Sequence, residues 1–180
     1  MFGQEELWRY REGNRLELKE AQGGLPRSFW ETYSSFANTQ GGLIVLGAAE
    51  KSDGTMRAIG IANLEALRRD LWNGLNNEQK VSTNLLLGSD ITQESIDGKS
   101  LLLVYVPRAD RTLRPVYIND NPKRGSFRRN GDGDYHCTAE ELRAMARDSA
   151  EGATDKLVLP AIDLGALSAG TIGAYRETYF

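Results

Sequence analysis

The sequence predicts an α+β domain, a mixed and largely antiparallel sheet with helices packed against it. Three observations carry that prediction. Segments with apolar residues at helical spacing alternate with segments of period two, so both element types are present. Ser52-Asp53-Gly54 and Asp97-Gly98 are hairpin signals, each returning a strand antiparallel to its predecessor. Hairpins interspersed with helices break the strict β-α-β alternation that a wholly parallel sheet needs.

Gln4–Arg11 reads as a short opening helix, stopped by the turn residues Gly13-Asn14. Arg15–Lys19 alternates, with Leu16 and Leu18 on one side and Arg15, Glu17 and Lys19 on the other, which is strand periodicity. After the loop Gly23–Pro26, the residues Phe29, Trp30, Tyr33 and Phe36 recur at helical spacing, and the helix ends near Asn38–Gly42. Leu43–Leu46 is an apolar run of strand length, predicted to be buried on both faces. Met56–Ile61 is its hairpin return. Asn63 caps a helix whose stripe is Leu64, Leu67, Leu71, Trp72 and Leu75. Ile91–Ile96 and Lys99–Val106 form the second hairpin, closed by Pro107. Val116–Ile118 and Ser126–Arg129 read as short strands around an Asn-Asp-Asn-Pro turn. Thr138 and Glu141 form a capping box that opens a last helix through about Asp148.

Residues 1–150 thus read as one domain and 151–180 as a tail or the start of a further region. The tail carries Leu157–Leu159, Ile162 and Leu164 without clear period, too apolar for a solvated linker, and a partner subunit in a homodimer is the expected cover. With 40% hydrophobic and 26% charged residues, the chain can build a core and wholesale disorder is not expected. A net charge of −3 excludes a protein that coats polyanions indiscriminately, so any such site is a local patch. Cys137 is the single cysteine, which fits a reducing compartment, and with His136 it cannot supply the four ligands of a zinc site. The charged N-terminus lacks the apolar core of a secretory signal, and the apolar runs Gly42–Ala49 and Leu101–Pro107 are far short of the roughly 20 residues of a membrane span. The expectation is a soluble, cytoplasmic protein with no membrane partner.

The strongest electrostatic feature is a window from Arg108 to Arg129. It holds Arg108, Arg111, Arg114, Lys123, Arg124, Arg128 and Arg129, seven of the chain's 22 basic residues, against the two acids Asp110 and Asp120. Lysine and arginine contacts to phosphates supply most non-specific nucleic-acid affinity, and Tyr117 and Phe127 interleave as stacking surfaces. The turn at Asn38, Gly41 and Gly42 has two readings: backbone N–H groups that approach a phosphate, or a passage from helix to buried strand. No G-x-x-x-x-G-K-[ST] loop is present, which disfavours a P-loop nucleotide site.

Glu12-x4-Glu17-x-Lys19, followed by Phe36-Ala37-Asn38-Thr39-Gln40-Gly41-Gly42 and Leu43-Ile44-Val45-Leu46-Gly47, resembles the signature of the Schlafen AlbA-like family. Arg114–Tyr117 and Gly125–Gly131 resemble that family's final strands, so the resemblance spans about residues 4–148. It implies a nucleic-acid-binding, DNA-binding module of a bacterial transcriptional regulator, needing no cofactor to bind. The resemblance also implies a rival, a metal-dependent endoribonuclease with Glu12, Glu17 and Lys19 as catalytic candidates. Glu12, Glu17 and either Glu50 or Asp53 would then hold Mg²⁺ or Mn²⁺, which activates water against a phosphodiester. Lys51 beside that third position weakens the ligand set. An ATP-binding or protein-interaction domain is the remaining alternative.

Overall fold

The computed structural model describes residues 15–155, with side chains described to residue 150. The expected opening helix, Glu12 and the apolar tail from residue 156 lie outside the described residues. Four strands form the main sheet: β1 (Leu16–Lys19), β2 (Gly42–Leu46), β5 (Ile91–Ile96) and β6 (Lys99–Val106), in the order β1-β2-β6-β5. β1 runs parallel to β2, while β2–β6 and β5–β6 are antiparallel, so the sheet is mixed as expected. Asp97 at φ 52° and Gly98 at φ 72° make the turn that pairs Ile96 with Lys99. A helix α1 (Ser28–Asn38) connects β1 to β2, the crossover a parallel pair requires.

The α1 face of the sheet is the main core. Ile44 and Leu46 of β2 and Leu102, Val104 and Val106 of β6 are buried there with Phe29, Tyr33 and Phe36 of α1. A second helix, α2 (Leu64–Leu75), adds Leu67, Leu71 and Leu75 to that core, and the Asn63 side-chain oxygen caps its start by accepting from the Ala66 amide at 3.0 Å. The opposite face carries Leu16, Val45, Leu101 and Leu103, covered by Ala48, Met56 and Ala58 from a small hairpin of β3 (Ala48–Glu50) and β4 (Met56–Ala58). The chain breaks at Gly47, so the Met56 return strand pairs with β3 rather than with β2, and it is shorter than the periodicity predicts.

The last third differs more. Val116–Ile118 forms only isolated bridges, Tyr117 to Ser126 and Ile118 to Val81. The Asn-Asp-Asn-Pro turn opens a single helical turn, α3 (Pro122–Gly125), capped by Asn121 on the Arg124 amide at 3.0 Å. β7 (Phe127–Asn130) then pairs with β8 (Gly133–His136), a strand the sequence reading does not contain although Asn130-Gly131 is a hairpin signal. The final helix α4 (Ala139–Asp155) opens on the expected capping box, the Glu141 carboxylate accepting from the Thr138 amide at 2.7 Å and the Glu141 amide donating to Thr138 Oγ1 at 3.2 Å. It runs past Asp148, because nothing in Ser149–Glu151 stops a helix. No helix among the described residues is long and apolar enough to cross a membrane.

Candidate nucleic-acid interface

Helix α1 has a polar face, and that face holds the basic segment in place. The Asn38 carboxamide donates to Val116 O at 2.8 Å and Phe127 O at 3.0 Å, and its oxygen accepts from the Val116 amide at 2.8 Å. Ser34 Oγ donates to Val116 O at 2.7 Å and accepts from the Phe127 amide at 3.0 Å. Both side chains are buried, so each acts as a surrogate strand for backbone that would otherwise lose its partners. Asn38 is therefore committed to packing. The same holds for the turn that follows. Gly41 lies at φ 71°, a Cβ there would meet Val106 O at 2.8 Å, and one on Gly42 would meet the Phe36 ring at 2.6 Å. Both glycines are buried and the Gly41 amide is spent on Phe36 O at 2.8 Å, which supports the helix-to-strand reading over the phosphate cradle.

The charged side of β1 faces inward, not toward solvent. Arg129 of β7 and Ser28 of α1 reach it, and Lys19 is 8% exposed. Glu17 Oε1 takes Lys19 Nζ at 2.8 Å and Glu17 Oε2 takes Arg129 Nη2 at 2.8 Å. Arg129 Nη1 reaches Asp134 Oδ1 at 3.0 Å, Nη2 also reaches Leu16 O at 3.3 Å, and the guanidinium lies 5.2 Å from the Phe36 ring centre. Asp134 in turn accepts from Thr32 Oγ1 at 2.5 Å, and Lys19 donates to Ser28 Oγ at 3.2 Å. Burial alone would lower the Arg129 pKa, but its bonds to Asp134 and Glu17 outweigh that and raise it. The expectation that Arg129 contacts phosphate is corrected here: its charge is buried and shared between two carboxylates. Asp134 and Thr32, which complete the cluster, escape sequence reading because their partners lie far along the chain.

The remaining basic residues divide by environment. Arg128 Nε pairs with Glu141 Oε1 at 3.1 Å at the surface, so the capping glutamate also tethers β7. Arg114 is half-buried, and burial followed by the nearby charge of Arg108 lowers its pKa while Asp148 and Asp110 oppose. Arg111 is exposed beside Asp110 in the short 3-10 turn Arg111–Leu113. Arg108, Lys123 and Arg124 are exposed, as is Arg143 of α4, which the window omitted; no ion pair among the described residues engages these four. Lys123 and Arg143 line one groove with Tyr117.

A family model described as "Schlafen, AlbA_2" matches residues 12–138. The chain belongs to this Schlafen AlbA_2 family. Its fold is similar to the N-terminal domain of a RecG-related protein from Nitrosomonas europaea, whose name refers to ATP-dependent DNA helicases. That likeness has 31% identity and a TM-score of 0.54, over 74% of this chain and 90% of that one. It also resembles the DIP2311 protein from Corynebacterium diphtheriae in fold, at 20% identity and a TM-score of 0.51, over 74% of this chain but 24% of the other. No curated protein matches the chain.

Of the metal set that the resemblance implies, Glu12 lies outside the described residues, while Glu17, Glu50 and Asp53 can be placed. Both Glu17 oxygens already hold cations of the chain itself. Asp53 caps its own hairpin, accepting from the Thr55 amide at 2.9 Å and the Thr55 hydroxyl at 2.5 Å, bonds that lower its pKa. Glu50 is exposed at the end of β3 in the same hairpin, its carboxylate beside Gly54. No group of three acidic, histidine or cysteine side chains among the described residues could hold a metal ion. Glu17, Glu50 and Asp53 do not form such a group.

Proposed function

We propose that this domain binds nucleic acid through the exposed cations Arg108, Lys123, Arg124 and Arg143, of which Lys123 and Arg143 line one groove with Tyr117. DNA is the favoured polymer and a regulator-type protein the favoured context. The observation that carries the reading is this cationic set, engaged by no ion pair among the described residues, on a chain of net charge −3. Family membership supports it, as does the likeness to a domain from a protein named for DNA helicases. Such cations act by displacing condensed counterions from the phosphate backbone, so affinity falls with salt in proportion to the number of phosphates neutralised. The ribonuclease alternative draws no support from Glu17, whose carboxylate is consumed by Lys19 and Arg129. No observation among the described residues carries the homodimer.

The test is fluorescence anisotropy on duplex DNA across a salt series. Replacing Lys123 and Arg124 by Ala should flatten the slope of log affinity against log salt by about 0.9 for each phosphate that is no longer neutralised. An unchanged slope in the double variant rejects this surface.

A further inference from the structure

The groove beside Lys123 has a composition that a plain phosphate-binding surface does not need. Its volume is about 610 Å³, within the range of roughly 300–1,000 Å³ typical of small-ligand sites. One wall is a face of α4, since Ala139, Leu142, Arg143 and Ala146 recur at helical spacing. The alanines keep that wall thin. The other wall is Tyr117 between Pro115 and Pro122, and its backbone is fixed from both sides: the Tyr117 amide donates to Ser82 Oγ at 3.0 Å and its carbonyl accepts from the Ser82 amide at 2.9 Å. Cys137, also in the lining, is buried, and burial followed by the charge of Glu141 pushes its thiol up to about 11, so it stays neutral. Charge enters only through Lys123 and Arg143, both exposed, and no carboxylate is among the described lining residues.

An apolar slot with cations at its mouth fits a ligand with a flat apolar body and negative charge at one end. A duplex offers the phosphates but keeps its bases stacked and paired. A single strand offers both together. We propose that the groove receives an unpaired base of single-stranded nucleic acid, stacked on Tyr117, with Lys123 and Arg143 on the flanking phosphates. This deepens the nucleic-acid-binding reading and rests on it.

The experiment measures anisotropy of labelled oligothymidylate, oligouridylate and duplex DNA with the full chain. The parent should bind one or both single strands more tightly than duplex, and their ratio tells DNA from RNA. Ala146→Phe fills the groove from an exposed position and should weaken single-strand binding about tenfold, the scale of one stacked base, while duplex binding stays unchanged. Tyr117→Leu should weaken single-strand binding to a similar degree. Single-strand affinity equal to the parent's in both variants overturns the inference. So does a parent that binds duplex only, although the cationic surface then stands. A parent that binds no nucleic acid rejects both readings. If Ala146→Phe alters sedimentation but not oligonucleotide affinity, the groove is an interface between copies and the inference fails.

Discussion

Replacing Arg129 by Met separates a buried arginine from a phosphate-binding one, because the two roles predict opposite results. The Arg129 side chain is 1% exposed and its partners Glu17 and Asp134 are 16% and 12% exposed. Removing one member of a buried ion pair costs about 3–5 kcal/mol, because the partner charge is left without compensation. Here some compensation survives: Glu17 keeps Lys19 at 2.8 Å and Asp134 keeps the Thr32 hydroxyl at 2.5 Å. The lower end, about 3 kcal/mol, is therefore expected. For a chain of 180 residues that is a drop in Tm of roughly 6–12 °C. Met retains the apolar stem over Phe36, so the loss reports the charge rather than a cavity. Urea unfolding followed by tryptophan fluorescence measures the stability, and anisotropy on duplex DNA measures the salt slope. The slope should not change. Arg129→Lys should fall between parent and Met, since an ammonium cannot span both carboxylates as the planar guanidinium does. Stability within about 0.5 kcal/mol of the parent, typical of a surface change, together with a flatter salt slope, would refute the assignment and return Arg129 to the interface.

Two further outcomes follow from the buried groups. Burial, partly opposed by the Leu85 amide, raises the Tyr33 phenol from 10.0 to about 12, and burial raises Cys137 from 9.0 to about 11. In each case the unfolded chain loses its proton first as pH rises, so stability is intact below the unfolded value and is lost through the folded one, from pH 9 to 11 for Cys137 and 10 to 12 for Tyr33. Urea midpoints should decline across that window, and Cys137→Ala should delay the onset; a flat profile to pH 11 in the parent contradicts the burial. Gly125→Ala places a Cβ 2.0 Å from Ile118 O, against backbone that cannot rotate away. It should cost about 3 kcal/mol, the upper end for overpacking, and unseat the turn bearing Lys123 and Arg124. An unchanged urea midpoint rejects that close approach.

Most of the fold was legible because its signals are local. The Phe29–Phe36 stripe, the Asp97-Gly98 turn, the Asn63 cap and the Thr138–Glu141 box each act within a few residues, and the structure realises each where its residues stand. The strand β8 was missed despite a local signal at Asn130-Gly131, because the polar run that follows it hides the alternation. The candidate site was legible only as a concentration of charge. Period two in β1 predicts that Glu17 and Lys19 share a face, but nothing local says whether that face meets water or protein. The tertiary structure decides it: Arg129 arrives from 112 residues away and makes burial of those charges tolerable by pairing with them. The same event removes Arg129 from the surface, and Glu141 draws in Arg128. Arg143, outside the basic window in sequence, joins Lys123 because α4 packs beside Tyr117. By itself the sequence determined which elements form and where positive charge is dense, since both depend on neighbours along the chain. Which charges remain free for a ligand depends on desolvation and on partners distant in sequence, and only the folded chain sets those.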